Sequence, residues 1–167
     1  DASVRAAMQG ADAVVNCVGT FDASGKNNFD AVQHQGAARI ARIAAESGVA
    51  HMVHISAIGA DANGASQYQR SKALGEQAVL QHMPNAMILR PSVIFGEGDS
   101  FFNRFAALLK VAPVMPLACP DARMQPVWVG DVAAAVASVL PDQRTAGKTL
   151  VLVGPRDYSL KELVEFT

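Results

Sequence analysis

Three short, almost uninterrupted apolar runs set the strongest limit on the fold of this chain. They cover residues 13–18, 52–55 and 86–89, and helix-length segments separate them. A strand that is apolar along its whole length is covered on both faces, whereas a half-exposed strand alternates. Each intervening segment is long enough to bring the chain back to the same end of a sheet. The sequence therefore predicts an α/β fold with a parallel sheet flanked by helices.

The segments between the runs have helical patterns. Residues 27–47 place Ala37, Ile40, Ala41 and Ala44 on one stripe, and Gly48 follows as a natural helix end. A second helix is expected to follow the run at 52–55 and to continue to the proline at position 84. The first three strands thus alternate with two helices.

The sequence after residue 100 predicts shorter helices and strands. Residues 101–111 predict an amphipathic helix. Its apolar side could pack on the protein's own core, or it could form a lid, a partner surface or a membrane-touching face. A short strand is expected at 125–129, with Asp131 as the N-cap of a helix over 132–140, and another strand at 149–153. Ser159 and Glu162 have the spacing of a capping box for a final helix.

Composition excludes several classes of protein. With 50% hydrophobic and 17% charged residues the chain is expected to be globular, and a net charge of −1 leaves no basic surplus for nucleic acid. No apolar run reaches the roughly 18 residues of a membrane-spanning helix. We therefore expect no transmembrane segment, no nucleic-acid partner and a soluble protein in the cytoplasm.

The metal-binding residue types show no ligand spacing. Cys17 and Cys119 are far apart and form no C-x-x-C motif, so we expect two reduced, buried thiols. The four histidines form no H-E-x-x-H motif, and His51 and His54 belong to a predicted strand region. The sequence predicts no metal site.

The richest stretch in functional side chains runs from residue 51 to residue 72. A strand stops at Ser56, a Gly- and Asn-bearing loop follows, and a helix then carries Tyr68 and, four residues later, Lys72. Residues four apart share one helix face, and residues that follow a strand lie at the ligand-binding edge of an open α/β sheet. We therefore expect a hydroxyl, a phenol and an ammonium group to converge.

Such a trio is suited to proton transfer to or from a carbonyl or an alcohol. Free phenol has a pKa of roughly 10, too high for an efficient acid or base near neutral pH. The Lys72 ammonium would favour the phenolate of Tyr68, and Ser56 would hold the substrate oxygen.

A structural interpretation competes with the catalytic one. A Y-x-x-x-K spacing arises by chance in such a chain with a probability of about 0.06. Tyr68 would then pack at the edge of a surface helix, and Lys72 would be solvated. Glu76, four residues after Lys72, is predicted to form a structural ion pair with it.

Beyond single motifs, an ordered set of segments resembles a known family. The chain carries V-V-N-C-V-G, V-H-I-S-A, Y-Q-R-S-K-A-L-G-E, I-L-R-P-S-V-I-F-G, Q-P-V-W-V-G-D-V-A and G-K-T-L-V-L-V-G-P. This set resembles the extended and atypical short-chain dehydrogenase/reductases, related to NAD-dependent epimerases and dehydratases. It is most similar to the nucleotide-binding accessory subunit of respiratory complex I and its bacterial relatives.

The resemblance implies a Rossmann-like, doubly wound parallel sheet that binds NADP or NAD, with NADPH favoured. It implies that Tyr68 acts as acid/base, that Lys72 binds the nicotinamide ribose and that Ser56 orients the substrate. It also implies that two segments border the cofactor, one on the adenine-ribose side and one near the nicotinamide: Asn16, Cys17, Val18 and Gly19, and Pro91, Ser92 and Val93. Residues 1–98 would be the C-terminal part of the dinucleotide-binding domain, and residues 99–167 a substrate- or lid-side region.

Two departures from the family pattern stand out. Gln33 precedes Gly36 where extended members carry an Asn, which puts the proton-relay role of that Asn in doubt. The Gly-rich G-x-x-G-x-x-G loop, which binds the pyrophosphate, and the strands before residue 13 are missing from the sequence. A Rossmann half-sheet needs those strands, so we expect about 80 further N-terminal residues in the natural protein, and more after Thr167.

Three functions follow as hypotheses from the resemblance. The first is an NAD(P)-binding protein of complex I accessory-subunit type, with groups suited to hydride transfer and a partner in respiratory complex I or another membrane-associated complex, on the inner face of the cytoplasmic membrane. The second is an active reductase, epimerase or dehydratase on a small carbonyl or sugar-nucleotide substrate. The third is a redox-sensing module without turnover, against which the Ser56, Tyr68 and Lys72 set argues.

Overall fold

The structure, a computed structural model, describes residues 1–111 and 116–167. Pro113, which the sequence predicts to break the chain after the helix over residues 101–111, lies outside the described residues. The chain forms two compact units, residues 1–90 with 135–151 and residues 91–134 with 152–167. Both units are discontinuous in sequence, because the chain returns to the first unit after leaving it. The predicted division after residue 98 stays a prediction.

The elements follow one another in the alternating order that the apolar runs predict. In chain order they are α1 (Ala2–Ala7), β1 (Ala13–Asn16), a π-helical segment (Asp30–Gln35), α2 (Gly36–Glu46), β2 (His51–Ile55), α3 (Gln67–His82), β3 (Met87–Pro91), β4 (Ile94–Phe95), α4 (Phe102–Val111), β5 (Arg123–Met124), β6 (Val127–Trp128), α5 (Val129–Val139), a 3₁₀ turn (Gln143–Thr145), β7 (Thr149–Leu152), β8 (Tyr158–Ser159) and α6 (Leu160–Glu165).

The central sheet has the strand order β1-β2-β3-β7. β1 pairs with β2 and β2 with β3, both in parallel, which confirms the predicted arrangement of the three apolar runs. Asn16 and His54 are the last paired residues of β1 and β2. The carboxyl ends of β1 and β2 therefore lie side by side, where ligands bind in open α/β sheets.

The main core of the first unit lies between one sheet face and helices α2 and α3. Met52 and Ile88 from the strands pack with Val79 from α3, and small residues of α2 fill the remaining space: Ala37 and Ala41. Burying one such large aliphatic side chain contributes roughly 1.5–3 kcal/mol. This packing holds α3, the helix with Tyr68 and Lys72, against the sheet.

A capping box fixes the start of α3. The backbone N–H of Gln69 donates to the hydroxyl of Ser66 at 3.1 Å, and the side chain of Gln69 accepts from the backbone N–H of Ser66 at 3.1 Å. Two otherwise unsatisfied donors at the helix end are thereby paired. The helix begins immediately afterwards, so Tyr68 and Lys72 lie one turn apart on its first two turns.

The π-helical segment lies in close backbone contact with α3. A Cβ atom at Gly75 would lie 2.2 Å from the carbonyl oxygen of Gln33 and 3.6 Å from the Cβ of Ala37. Real Cβ atoms do not approach a backbone oxygen so closely. Only glycine lets the two segments pack at this distance.

Gly75→Ala is expected to lower the free energy of unfolding by about 2 kcal/mol, because overpacking in a filled core costs roughly 1–3 kcal/mol. The gain in helix propensity of roughly 0.5–1 kcal/mol is smaller and does not reverse the sign. Denaturant unfolding measures the change. Gln77→Ala, at an exposed position of the same helix, is the control and should change stability by less than about 0.5 kcal/mol; equal effects of the two variants would contradict the close packing.

Among its described residues, the second unit contains two short strand pairs, the helices α4 and α6, and the first half of α5. β4 pairs in parallel with β6, and β5 antiparallel with β8. The predicted capping box of α6 is confirmed, since Ser159 and Glu162 bond reciprocally. α4 contains no fully buried residue, although Phe102 packs edge-on against Phe95 of β4 at 6.1 Å, and the interpretations of this helix stay predictions.

Two sequence-based expectations about single residues are wrong. α5 begins at Val129, so Asp131 lies in its first turn and is not the N-cap. An acidic side chain there still favours the positive end of the helix. Cys17 and Cys119 are free but exposed rather than buried, because Cys17 lies past the last residue of β1 and Cys119 lies in a turn.

Within residues 1–111 and 116–167, no helix combines the length and apolar character that crossing a membrane would require.

Candidate active site

Lys72 reaches the carboxyl ends of β1 and β2. Its Nζ atom donates to the carbonyl oxygen of Ile55 at 3.3 Å, and a Cβ on Gly19 would lie 3.4 Å from the same Nζ. Ser56 directly follows Ile55 and is buried. The structure therefore brings Lys72, Gly19 and Ser56 together at the sheet edge where the sequence predicted a site.

Asn16 and His54 form a buried polar pair beneath this edge. The side-chain oxygen of Asn16 accepts from the backbone N–H of Val18 at 3.1 Å, so its Nδ2 is the atom that faces Nδ1 of His54 at 3.0 Å. An amide nitrogen can only donate, and the imidazole therefore accepts at Nδ1 and carries its proton on Nε2. The pair also shapes the turn that leads to Gly19.

Two buried polar atoms on this sheet face have no hydrogen-bond partner within the described part of the chain. They are Nε2 of His54 and Oγ of Ser56. The residues are two apart on an extended segment, so their side chains point to the same face. Buried polar atoms without partners are rare and mark places where water or a ligand is bound. The Ser56 hydroxyl is thus free to bond a substrate oxygen.

Tyr68 is half-buried between two phenylalanines. The ring of Phe21 stacks on it with a centroid distance of 5.2 Å and an interplanar angle of 15°, and Phe29 meets it edge-on at 5.8 Å. Offset stacking and edge-to-face packing are the favoured geometries for aromatic pairs. The segment that follows β1 therefore contacts both Lys72, through Gly19, and Tyr68.

The electrostatics differ from the sequence-based expectation. Burial raises the pKa of the Tyr68 phenol above 10.0, whereas a lowering by Lys72 was expected. Burial also lowers the pKa of the Lys72 ammonium, and the negative charge of Glu76 opposes that shift. Both groups lose hydration, and this effect outweighs any attraction between phenolate and ammonium. Tyr68 is therefore protonated at neutral pH.

His54 stays uncharged near this ammonium. Burial and the positive charge of Lys72 together lower the pKa of His54 from 6.5 to about 4. A second cation beneath Lys72 would repel it, so a neutral imidazole is the form compatible with a buried ammonium.

Glu76 pairs with a different residue than predicted. Its carboxylate accepts two bonds from Arg90, at 2.9 Å from Nε and 2.7 Å from Nη2. The predicted ion pair with Lys72 is wrong, because the Lys72 ammonium is directed to the Ile55 carbonyl. Glu76 still acts on Lys72 at longer range through its charge. The bidentate pair links α3 to β3.

The remaining predicted cofactor residues lie in two places. Cys17 and Val18 are exposed and follow β1, next to Gly19. Pro91, Ser92 and Val93 belong to the second unit, where the backbone N–H of Ser92 donates to Leu152 at 2.9 Å and the carbonyl of Val93 accepts from Val127 at 2.9 Å. Their roles stay predictions.

Sequence reasoning missed three residues that shape the site, Phe21, Phe29 and His54, and it named Gln33 only as a departure from the family pattern. Gln33 is buried, its Nε2 donates to the carbonyl of Thr20 at 2.6 Å, and its Oε1 accepts from Ser71 at 2.8 Å. A polar residue on the apolar face of a predicted helix was the available signal for Gln33. A histidine inside an apolar strand was the signal for His54.

No cluster of three or more His, Cys, Asp or Glu side chains able to hold a metal ion is present among the residues that the structure describes.

Comparison with known families matches almost the entire chain to one of them. The family described as "RmlD substrate binding domain" matches residues 3–154. The chain belongs to this family. In this RmlD-type chain, the match covers the sheet, α3 and most of the second unit.

The RmlD-type chain is also similar to a subunit of a mitochondrial complex. The mouse (Mus musculus) protein "NADH dehydrogenase (ubiquinone) 1 alpha subcomplex subunit 9, mitochondrial" is 34% identical to it over 166 residues. The match covers 98% of this chain and 44% of the mouse protein, so the chain spans less than half the length of that relative. The predicted resemblance to the complex I accessory subunit is confirmed.

Solved structures share the fold of the RmlD-type chain at lower identity. DesIV, a dTDP-glucose 4,6-dehydratase from Streptomyces venezuelae solved with NAD, has a TM-score of 0.81 at 20% identity, over 99% of this chain and 59% of its own. The dTDP-4-dehydrorhamnose reductase from Bacillus anthracis, solved with NADP, has a TM-score of 0.78 at 18% identity, over 99% and 65%. The predicted Rossmann-like fold is confirmed.

Proposed function

We propose that this chain is part of an NAD(P)-binding protein of complex I accessory-subunit type whose Ser56, Tyr68 and Lys72 would assist the reduction of a carbonyl group by a reduced dinucleotide. The observation that carries the proposal is the meeting of Lys72, Gly19 and Ser56 at the carboxyl ends of two adjacent parallel strands. Tyr68 lies one turn before Lys72 on the same helix.

The residues present fit a dinucleotide at this edge. Gly19 carries no side chain beside Lys72, and Cys17 and Val18 are exposed. The unpartnered hydroxyl of Ser56 supplies a donor for a substrate oxygen. Lys72 would hold the nicotinamide ribose, as the resemblance implies, and the bound cofactor supplies the hydride. Solved proteins of the same fold carry NAD or NADP.

The protonation states favour the reductive direction. The Tyr68 phenol carries its proton at neutral pH, and this is the form that can protonate an oxygen with developing negative charge. Ser56 would donate a hydrogen bond to that oxygen and hold it beside the phenol. Lys72, one turn along the same helix, would stabilise the phenolate that remains, because a nearby cation favours the charged form.

Purification of the full-length natural protein, followed by identification of its nucleotide, tests the binding part of the proposal. We expect bound NADP(H) or NAD(H), and a slow loss of the reduced-nicotinamide absorbance when a carbonyl compound is added. Lys72→Met should weaken dinucleotide binding about tenfold, the equivalent of about 1.4 kcal/mol. A protein that binds neither dinucleotide would contradict the proposal.

A second candidate function is purely structural: the bound nucleotide would stabilise the protein without taking part in a reaction. The 34% identity to a complex I subunit favours it. In that case the nucleotide would co-purify with the protein and with a membrane-associated complex, at the inner face of the cytoplasmic membrane. The reduced cofactor would not be consumed with any carbonyl. Co-sedimentation with the complex, combined with turnover assays, separates the two candidates.

A further inference from the structure

An exposed phenyl ring lies flat against Tyr68. Phe21 is 83% exposed, yet its ring is parallel to the Tyr68 ring within 15°. One face of Phe21 covers the phenol ring, and the rest of the side chain faces solvent. An apolar ring held open beside a candidate acid is a surface that a flat apolar group can cover.

A buried amide holds this ring in place. Gln33 is 2% exposed and bonds Thr20, the residue before Phe21, through its Nε2 atom at 2.6 Å. Its Oε1 atom accepts at 2.8 Å from Ser71, which lies on α3 three residues after Tyr68. One side chain therefore ties the loop with Phe21 to the helix with Tyr68.

The π-helical segment explains why Gln33 can make both bonds. Gly75 lets α3 approach the backbone of Gln33 so closely that a Cβ there would lie 2.2 Å from the Gln33 carbonyl oxygen. Both ends of the Gln33 amide are engaged. Holding two segments together is thus the role that its contacts support, in place of the proton relay of the family's Asn.

We propose that Gln33 is a positioning residue that keeps Phe21 on Tyr68, and that Phe21 selects carbonyl substrates with a flat apolar group beside the reacting oxygen. The inference rests on the proposed function, because it names the substrate class of the same phenol. A phenyl ketone would pack against the exposed edge of Phe21, whereas a hydroxylated ketone would lose hydration there without gaining an aromatic contact.

The test compares the binding of two ketone probes, acetophenone and hydroxyacetone, to the full-length protein with its dinucleotide. Ligand-detected NMR gives both dissociation constants without requiring turnover. We expect the unaltered protein to bind acetophenone at least about fivefold more tightly than hydroxyacetone. In both Phe21→Ala and Gln33→Leu the ratio of the two dissociation constants should fall by about three- to tenfold. Gln35→Leu, an exposed glutamine of the same segment, is the matched control and should keep the preference.

The double variant Phe21→Ala/Gln33→Leu shows whether Gln33 acts through Phe21. Its loss should equal that of Phe21→Ala alone, whereas a general weakening of the fold would add a further loss. Absorbance titration of the phenol should also show the Tyr68 pKa moving back toward its ordinary value in both single variants.

Several outcomes would overturn the inference. They are equal binding of the two ketones by the unaltered protein, a Phe21→Ala variant that keeps the preference, and additive losses in the double variant. If Gln33→Leu does not fold, Phe21→Ala decides alone. If the preference and the non-additivity appear but neither ketone is reduced, the inference holds and the hydride-transfer part of the proposed function fails.

Discussion

Tyr68→Phe is expected to lower carbonyl reduction about 10³-fold while leaving the fold and dinucleotide binding unchanged. Positioned acids contribute roughly 10²–10⁴ to a rate, and 10³ corresponds to about 4 kcal/mol of barrier. Phenylalanine keeps the ring that contacts Phe21 and Phe29, so the aromatic packing is retained. Only the proton donor is removed. Steady-state and single-turnover rates, with dinucleotide affinity measured alongside, give the change.

The other tyrosine of the chain supplies a matched control. Tyr158→Phe makes the same chemical change in the second unit, where Tyr158 packs edge-on against Phe166. Its rate should stay within about twofold of the unaltered protein, because Tyr158 is not among the residues proposed to take part in the reaction, and substitutions at independent sites contribute separately. A Tyr68→Phe variant that keeps more than a tenth of the rate would assign the acid to another group.

His54 is expected to make the protein less stable as the pH falls from about 6.5 to about 4. The folded state holds His54 at a pKa of about 4, while the unfolded chain has the ordinary value of 6.5. Between these values the unfolded state binds a proton and the folded state does not, so the free energy of unfolding decreases. Above pH 6.5 both states are neutral and His54 gives no pH dependence. A pKa shift of this size corresponds to a decrease of roughly 3 kcal/mol in the free energy of unfolding.

Two variants isolate this contribution from that of the carboxylates. His54→Gln removes the titration, and its loss of stability between pH 7 and pH 4 should be smaller than that of the unaltered protein by roughly 3 kcal/mol. His51→Gln, at the exposed start of the same strand, should behave like the unaltered protein. NMR titration of the imidazole measures its pKa directly; a His54 that titrates near 6.5 would contradict the prediction.

The sheet could be predicted because its signal is local. Continuous apolarity over residues 13–16 and 52–55 is visible without knowledge of partners, and the helix-length spacers determine parallel pairing. The placement of Ser56 at a strand end and of Tyr68 and Lys72 one turn apart follows from the same local patterns. To these sequence-based placements the structure adds the contact between Nζ of Lys72 and the carbonyl oxygen of Ile55.

The rest of the site depends on residues distant in sequence. Asn16 meets His54 across 38 positions, and Glu76 meets Arg90 across 14, although Lys72 was nearer along the helix. A neighbour four residues away is only one of several oppositely charged groups that the fold brings into reach. The upward shift of the Tyr68 pKa could not be predicted either, because it depends on burial by rings from another segment.

The π-helical turn at Asp30–Gln35 fixes the number of residues that this segment can contain. A π turn holds about one residue more than an α turn, so deleting one residue there would restore the tighter helix. Each residue rotates a helix by about 100°, and every side chain on one side of the deletion would swing by that angle relative to the other. The amide of Gln33 would then leave both Thr20 and Ser71. This stretch should accept exchanges of side chain far more readily than the gain or loss of a single position.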